Sequence, residues 1–63
     1  MADVHVVPSG SLWAVEIDGN ISSIHETQEE AIEVGRGLLE GQNGELVIHG
    51  QGGVILEKDS HGP

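Results

Sequence analysis

This chain of 63 residues contains no cysteine, and that absence narrows its possible folds more than any other feature of the sequence. Disulfides and thiolate zinc sites, the usual supports of very small domains, are excluded. Stability must come from apolar packing or from association with another chain. Hydrophobic residues make up 37% of the sequence, with one Trp and no Phe or Tyr. We predict a thin core of Val, Ile and Leu around Trp13, and a dimer that enlarges it.

The charge balance is strongly acidic: 11 Asp and Glu residues stand against Arg36 and Lys58, for a formal charge of −9. Nucleic acids and anionic membranes need several basic side chains, so direct binding to either is not expected. Three explanations of the acidity remain open: solubility, adaptation to high salt, and mimicry of a nucleic acid toward a basic partner.

No basic segment followed by an apolar run begins the chain, and no stretch approaches the length of a membrane span. We therefore expect a cytoplasmic protein. A single α+β domain is expected over residues 1–59, with a flexible tail at 60–63.

Four segments have the composition and periodicity of strands. The first, residues 4–7, is β-branched and ends at a Pro-Ser-Gly turn, and the second, residues 12–17, alternates apolar and polar side chains. The other two, residues 45–49 and 54–58, are joined by a glycine-rich loop. Residues 21–25 also allow a short return strand, which would extend the second strand into a hairpin.

Thr27 predicts the start of a helix, because its hydroxyl can cap the first turn and Glu30 stands three residues later, as in a capping box. Apolar residues then recur at helical spacing, and carboxylates fall on the opposite side. Gly35 lies on the apolar stripe, which indicates a close approach of the helix to the sheet. The stripe consists of Ala31, Ile32, Gly35, Leu38 and Leu39.

The order of these elements is β-β-α-β-β, and short connections favour antiparallel pairing within each hairpin. The predicted fold is therefore an antiparallel sheet with the helix packed on one face. Alternation places the following side chains beneath the helix: Val4, Val6, Trp13, Val15, Ile17, Leu46, Ile48 and Ile55.

The opposite face of the predicted sheet carries histidines and aliphatic residues. A contiguous exposed apolar surface on a small protein often marks a partner site. We therefore expect self-association through this face, as a homodimer. The residues predicted to make the contact are Val7, Leu12, Val47, His49, Val54 and Leu56.

Two histidines on that face, His5 and His49, would be neighbours if their strands pair. With Glu16 or Asp59 nearby they are candidate ligands of a divalent metal, since imidazole and carboxylate are common metal ligands. Strand histidines more often have no such role, and the sequence leaves both interpretations open.

Catalysis is not expected, and neither is a cofactor. The Ser and Thr residues fall in turns, caps or the tail. No Lys or His stands near one at a spacing that would indicate a nucleophile with its base. The glycines at 50–53 do not precede a helix, as those of a phosphate-binding loop do, so they indicate a hairpin turn.

Motifs spread over nearly the whole chain carry a family resemblance. They are Val4-His5-Val6-Val7-Pro8, Trp13-Ala14-Val15, Thr27-Gln28, Glu30-Ala31-Ile32, Gly35-Arg36, Glu45-Leu46-Val47-Ile48-His49-Gly50, Gly53 and Lys58-Asp59-Ser60. Together they resemble domain-of-unknown-function family 2188, a group of small prokaryotic proteins. The family has no established activity, so the resemblance implies a domain and its architecture and leaves the function open.

The sequence favours a non-enzymatic protein-interaction module that binds a second copy of itself. One alternative is an acidic inhibitor of phage type that mimics nucleic acid toward a DNA- or RNA-handling protein. A further alternative is a small metal- or ligand-binding protein that uses His5 and His49. The acidic surface of the mimic would consist of Glu26, Glu29, Glu30, Glu33 and Glu40.

Overall fold

Strands make up most of residues 2–61, the part of the chain that the computed structural model describes, and one helix interrupts them after the third strand. The first three strands are β1 (Ala2–Ser9), β2 (Leu12–Ile17) and β3 (Asn20–His25). Helix α1 (Gln28–Leu38) follows. The chain then continues through β4 (Gly44–His49), a short 3-10 turn (Gln51–Gly53) and β5 (Ile55–His61).

The strands form one sheet in the order β3-β2-β1-β4-β5. Three neighbouring pairs are antiparallel, whereas β1 and β4 run parallel. The α+β class is confirmed, but a purely antiparallel sheet and a β-β-α-β-β order were wrong. The additional strand is β3, since the return segment after the turn at residues 18–19 pairs with β2 from one end to the other.

The parallel pair follows from the path of the chain. β3 runs parallel to β1 because both are antiparallel to β2. From the end of β3, α1 crosses the sheet above β2 and β1, and β4 then lies on the far side of β1. A crossover connection of this kind produces strands of the same direction, whereas a tight hairpin reverses them.

A two-residue turn joins β2 to β3. Asp18 has a φ of 50° and Gly19 a φ of 86°, so both adopt the left-handed conformation that a type I′ hairpin turn requires. Farther along the hairpin, the register of β2 against β3 shifts by one residue at a bulge. The bulge places Ile21 and Ile24 on the same face, although they are three residues apart.

Helix α1 begins where the sequence predicts. Thr27 is the N-cap, and its Oγ1 accepts a hydrogen bond from the backbone N–H of Glu30 at 3.1 Å. The Glu30 side chain contacts His25 in place of the reciprocal capping-box contact. At the other end, Leu39 is the C-cap and its N–H bonds back to the last turn of the helix. The helix boundaries therefore follow local signals.

The core lies between α1 and one face of the sheet. Trp13 is half-buried at the margin of this cluster, so aliphatic side chains and not the indole form its centre. Gly35 is buried on the inner side of the helix, as predicted. The nearly fully buried members of the cluster are Val4, Val6, Val15, Ala31, Leu39, Leu46 and Ile48.

Strand β5 is longer than its sequence pattern predicts. A register shift near its start places Ile55 opposite His49, and Ile55 is 58% exposed, so its assignment to the core was wrong. The predicted flexible tail began at Ser60. Ser60 and His61 lie in β5, with Ser60 opposite Glu45, and residues 62–63 lie outside the described residues.

Candidate functional site

The sheet face opposite α1 is called the open face. Cross-strand pairs place His5 beside Glu16 and Val7 beside Ala14 on this face, and the parallel strand β4 adds Val47 level with His5. The register assigns to the open face Asp3, His5, Val7, Leu12, Ala14, Glu16, Ile21, Ile24, Glu45, Val47, His49, Ile55, Lys58 and Ser60.

Exposed large aliphatic side chains lie in two groups, one toward each edge of the sheet. On the β3 side they belong to the open face, and near the β4–β5 turn they surround the start of β5. The first group is Leu12, Ile21 and Ile24, and the second is Val54, Ile55 and Leu56.

The predicted contact residues differ in accessibility. Leu12, Val54 and Leu56 are exposed, whereas Val7 and His49 are half-buried. Val47 lies on the open face but is only 4% exposed, so it is already covered within the monomer.

Sequence reasoning did not include Ile21 and Ile24 in this surface. Their odd spacing predicts opposite faces of a regular strand, and only the bulge in the β2–β3 pair brings them together. A bulge depends on the register of two strands and has no local signal in the sequence of β3.

The parallel pairing of β1 with β4 brings His5 and His49 into contact on the open face. Nδ1 of His5 lies 2.8 Å from Nε2 of His49, and the ring planes differ by 21°. The ring centroids are 5.1 Å apart. This is about the N···N distance plus the distance from each centroid to its own nitrogen. The two nitrogens therefore lie on the line that joins the rings, as in a single N–H···N hydrogen bond.

This geometry bears on the predicted metal site. Two imidazole ligands direct their lone pairs at one point about 2.0–2.1 Å from each nitrogen, whereas these nitrogens face each other. Glu16 lies opposite His5, but Asp59 pairs with Leu46 and so belongs to the other face. Within residues 2–61, no group of three or more His, Asp or Glu side chains is arranged to hold a metal ion.

A second histidine cluster lies on the covered side of the sheet, where β3 meets α1. Nε2 of His25 is 2.8 Å from Oγ of Ser23, and Nδ1 is 3.1 Å from Oε1 of Glu30. The side chain of His25 is 14% exposed and that of Glu30 is 61% exposed. The three side chains form a continuous hydrogen-bonded series of hydroxyl, imidazole and carboxylate.

This cluster was not predicted from the sequence, because residues 21–25 were expected only as a possible short extension of the second strand. Once these residues form a strand, Ser23 and His25 share a face, since side chains two positions apart point to the same side. The start of α1 then brings Glu30 to the second ring nitrogen. The spacing from Ser23 to His25 was the available signal.

The residues of the predicted acidic surface are exposed, and most of them lie in α1. Glu30 differs from the others because it contacts His25. The exposed residues are Glu26, Glu29, Glu30, Glu33 and Glu40.

The loop at residues 50–53 connects two antiparallel strands, which confirms the predicted hairpin turn. The N–H of Gly50 donates to the carbonyl oxygen of Val54 at 2.6 Å and closes the loop. In the part of the chain that the structure describes, there is no pocket. No helix there has the length and apolar character needed to cross a membrane.

Comparison with known protein families gives a match to a family described as an uncharacterized protein conserved in bacteria (DUF2188), over residues 4–61. The chain belongs to domain-of-unknown-function family 2188. A search of curated proteins and a search of solved structures gave no match.

The match confirms the resemblance to family 2188 that the motifs carry. In this family member, the motif residues have identifiable places: Thr27 caps α1, Gly35 faces the sheet, and His5 and His49 form the hydrogen-bonded pair of the open face.

Proposed function

We propose that the protein is an interaction module that associates with a second copy of itself through the open face. The observation that carries the proposal is the set of exposed aliphatic side chains on and beside a sheet face that α1 leaves uncovered. Burial of one such side chain is worth about 1.5–3 kcal/mol. Contact between two open faces would bury several of them in each copy.

The size of the chain supports such a contact. A stable interface commonly buries about 800 Å² on each partner, roughly a fifth of the 3913 Å² that this chain exposes. A domain of this length encloses a small core, so burial between two copies adds a large fraction to the apolar area that it already removes from water.

Charge also supports the open face as the contact surface. It carries three carboxylates, those of Asp3, Glu16 and Glu45, together with Lys58. The other eight of the 11 Asp and Glu residues lie elsewhere on the chain. Two copies that meet through this face therefore keep most of their like charge apart.

The His5–His49 pair is suited to burial between two copies. Burial of an imidazole nitrogen that has no hydrogen-bond partner is costly. Here Nδ1 of His5 and Nε2 of His49 already contact each other at 2.8 Å. A second copy can cover the pair without leaving those two atoms unsatisfied.

Sedimentation velocity over the micromolar range tests the proposal. We expect the wild-type chain to dimerise, and Ile24→Glu or Ile55→Glu, each at an exposed position of the open face, to shift it toward the monomer. Asn20→Asp is the matched control, since it adds one negative charge at an exposed position that the register places on the helix side of the sheet, opposite Ile17. A wild-type chain that remains monomeric throughout contradicts the proposal.

Val47→Glu is not a suitable test variant. Because Val47 is only 4% exposed, a carboxylate there would disturb folding before it reported on association.

A further inference from the structure

The donors and acceptors around His25 assign its proton. An ionised carboxylate can only accept hydrogen bonds, so the contact of 3.1 Å with Glu30 requires a hydrogen on Nδ1 of His25. In the neutral imidazole, Nε2 is then the acceptor. The hydroxyl of Ser23, 2.8 Å away, must donate its hydrogen to Nε2.

We propose that Ser23 is an activated nucleophile that accepts acyl groups from small activated esters, with His25 as its general base. A serine hydroxyl becomes reactive when an adjacent base, itself held by a third group, can take its proton. Ser23, His25 and Glu30 show both relationships, since Ser23 contacts His25 and His25 contacts Glu30. The proposal adds an activity that the sequence did not lead us to expect, and it does not depend on self-association.

The elements of the fold hold the three groups in place. Ser23 and His25 lie in β3, an edge strand whose described neighbour is β2. Ser23 is only half-buried, and the proposal requires that a small ester reach its hydroxyl from the free edge of the sheet. Glu30 lies in the first turn of α1, where its backbone N–H donates to Thr27 and its carboxylate contacts His25.

The reaction balances with the ester and water alone. Oγ of Ser23 forms a bond to the ester carbonyl carbon, and its proton moves to Nε2 of His25. The bond from that carbon to the leaving oxygen then breaks, and His25 returns the proton to the leaving alkoxide. Water, deprotonated by His25, next attacks the acyl-serine, which releases the carboxylic acid and restores the Ser23 hydroxyl.

Acetylation of the full chain by p-nitrophenyl acetate, quenched with acid and mapped by peptide mass spectrometry, tests the proposal. Ser22 is an internal control, since it is the adjacent residue, is exposed, and has no histidine partner among the described hydrogen bonds. General-base assistance contributes about 10²–10⁴-fold, so Ser23 is expected to react at least about 100-fold faster than Ser22. Equal acetylation rates at the two serines, or no acetyl group on Ser23 together with no Ser23-dependent release of p-nitrophenolate, overturn the proposal.

Variants assign the roles of the three residues. Ser23→Ala and His25→Gln are expected to abolish the rapid release of p-nitrophenolate, whereas Ser22→Ala leaves it unchanged. Circular dichroism checks that each variant is folded. If His25→Gln unfolds, the comparison of Ser23 with Ser22 in the wild-type chain still decides the outcome.

Glu30 acts through His25, so it is a positioning residue and needs its own measurement. Nitrogen NMR of the wild-type protein is expected to show the His25 proton on Nδ1, with loss of that preference in Glu30→Ala. Glu29→Ala is the control, because Glu29 lies in the same helical turn. If Nε2 carries the proton in the wild-type protein, Ser23 has no base and the proposal fails.

Discussion

Gly35 of α1 lies directly against Leu46 of β4. A Cβ atom added to Gly35 would stand 3.0 Å from Cδ1 of Leu46, and 3.3 Å from Cγ1 of Val4. Leu46 and Val4 are each 1% exposed, so both neighbours are held by the surrounding core. The close approach predicted from a glycine on the apolar stripe is therefore a backbone-to-side-chain contact.

Gly35→Ala is expected to destabilise the protein. Alanine improves helix propensity by about 1 kcal/mol, but an extra methyl in a filled core costs about 1–3 kcal/mol. Gly37→Ala is the matched control, because a Cβ there meets nothing within 4 Å, and it is expected to stabilise the helix. Urea unfolding of both variants measures the difference, and equal effects would argue against close packing at Gly35.

Thr27→Ala is expected to cost about 1 kcal/mol, because it removes the acceptor of the Glu30 backbone N–H at the start of α1. For a domain of this size, that corresponds to a fall of about 4–8 °C in Tm. Thr27→Ser keeps the hydroxyl and serves as the control. Thermal unfolding of the two variants decides the matter, and an identical Tm for Ala and Ser would mean that the cap contributes nothing.

Leu39→Ala is expected to leave little folded protein. Truncation of a buried leucine costs about 2–5 kcal/mol, and Leu39 is 1% exposed. Total stability at about 0.05–0.15 kcal/mol per residue is small for so short a chain. Leu38→Ala, at a half-buried neighbour, is the comparison and is expected to cost less. Denaturant titration followed by Trp13 fluorescence measures both.

Salt is expected to strengthen self-association. Each copy carries a formal charge of −9, so two copies repel one another at low ionic strength. Added salt shortens the range of that repulsion while the apolar contact remains. Sedimentation in low and high sodium chloride gives the dissociation constant at each, and weaker association at high salt would indicate a contact held by ion pairs.

The two histidine sites show where sequence reasoning succeeds and where it fails. His5 and His49 were identified as possible neighbours from alternation alone, because both patterns placed them on the same face. Ser23 and His25 were missed because their segment was not assigned to a strand. Glu30 was assigned to the helix cap, yet its carboxylate bonds to His25.

The sequence by itself determined the local features: the bounds of β2, the helix start at Thr27, the hairpin between β4 and β5, and most of the inner face. These depend on residues near one another in the chain, such as a capping hydroxyl or an alternation of period two. Only the tertiary structure decided that β1 pairs in parallel with β4 and that β3 carries a bulge. Those relationships depend on the position that the crossing helix gives to the next strand and on the register between strands. Contacts between residues far apart in sequence decide both.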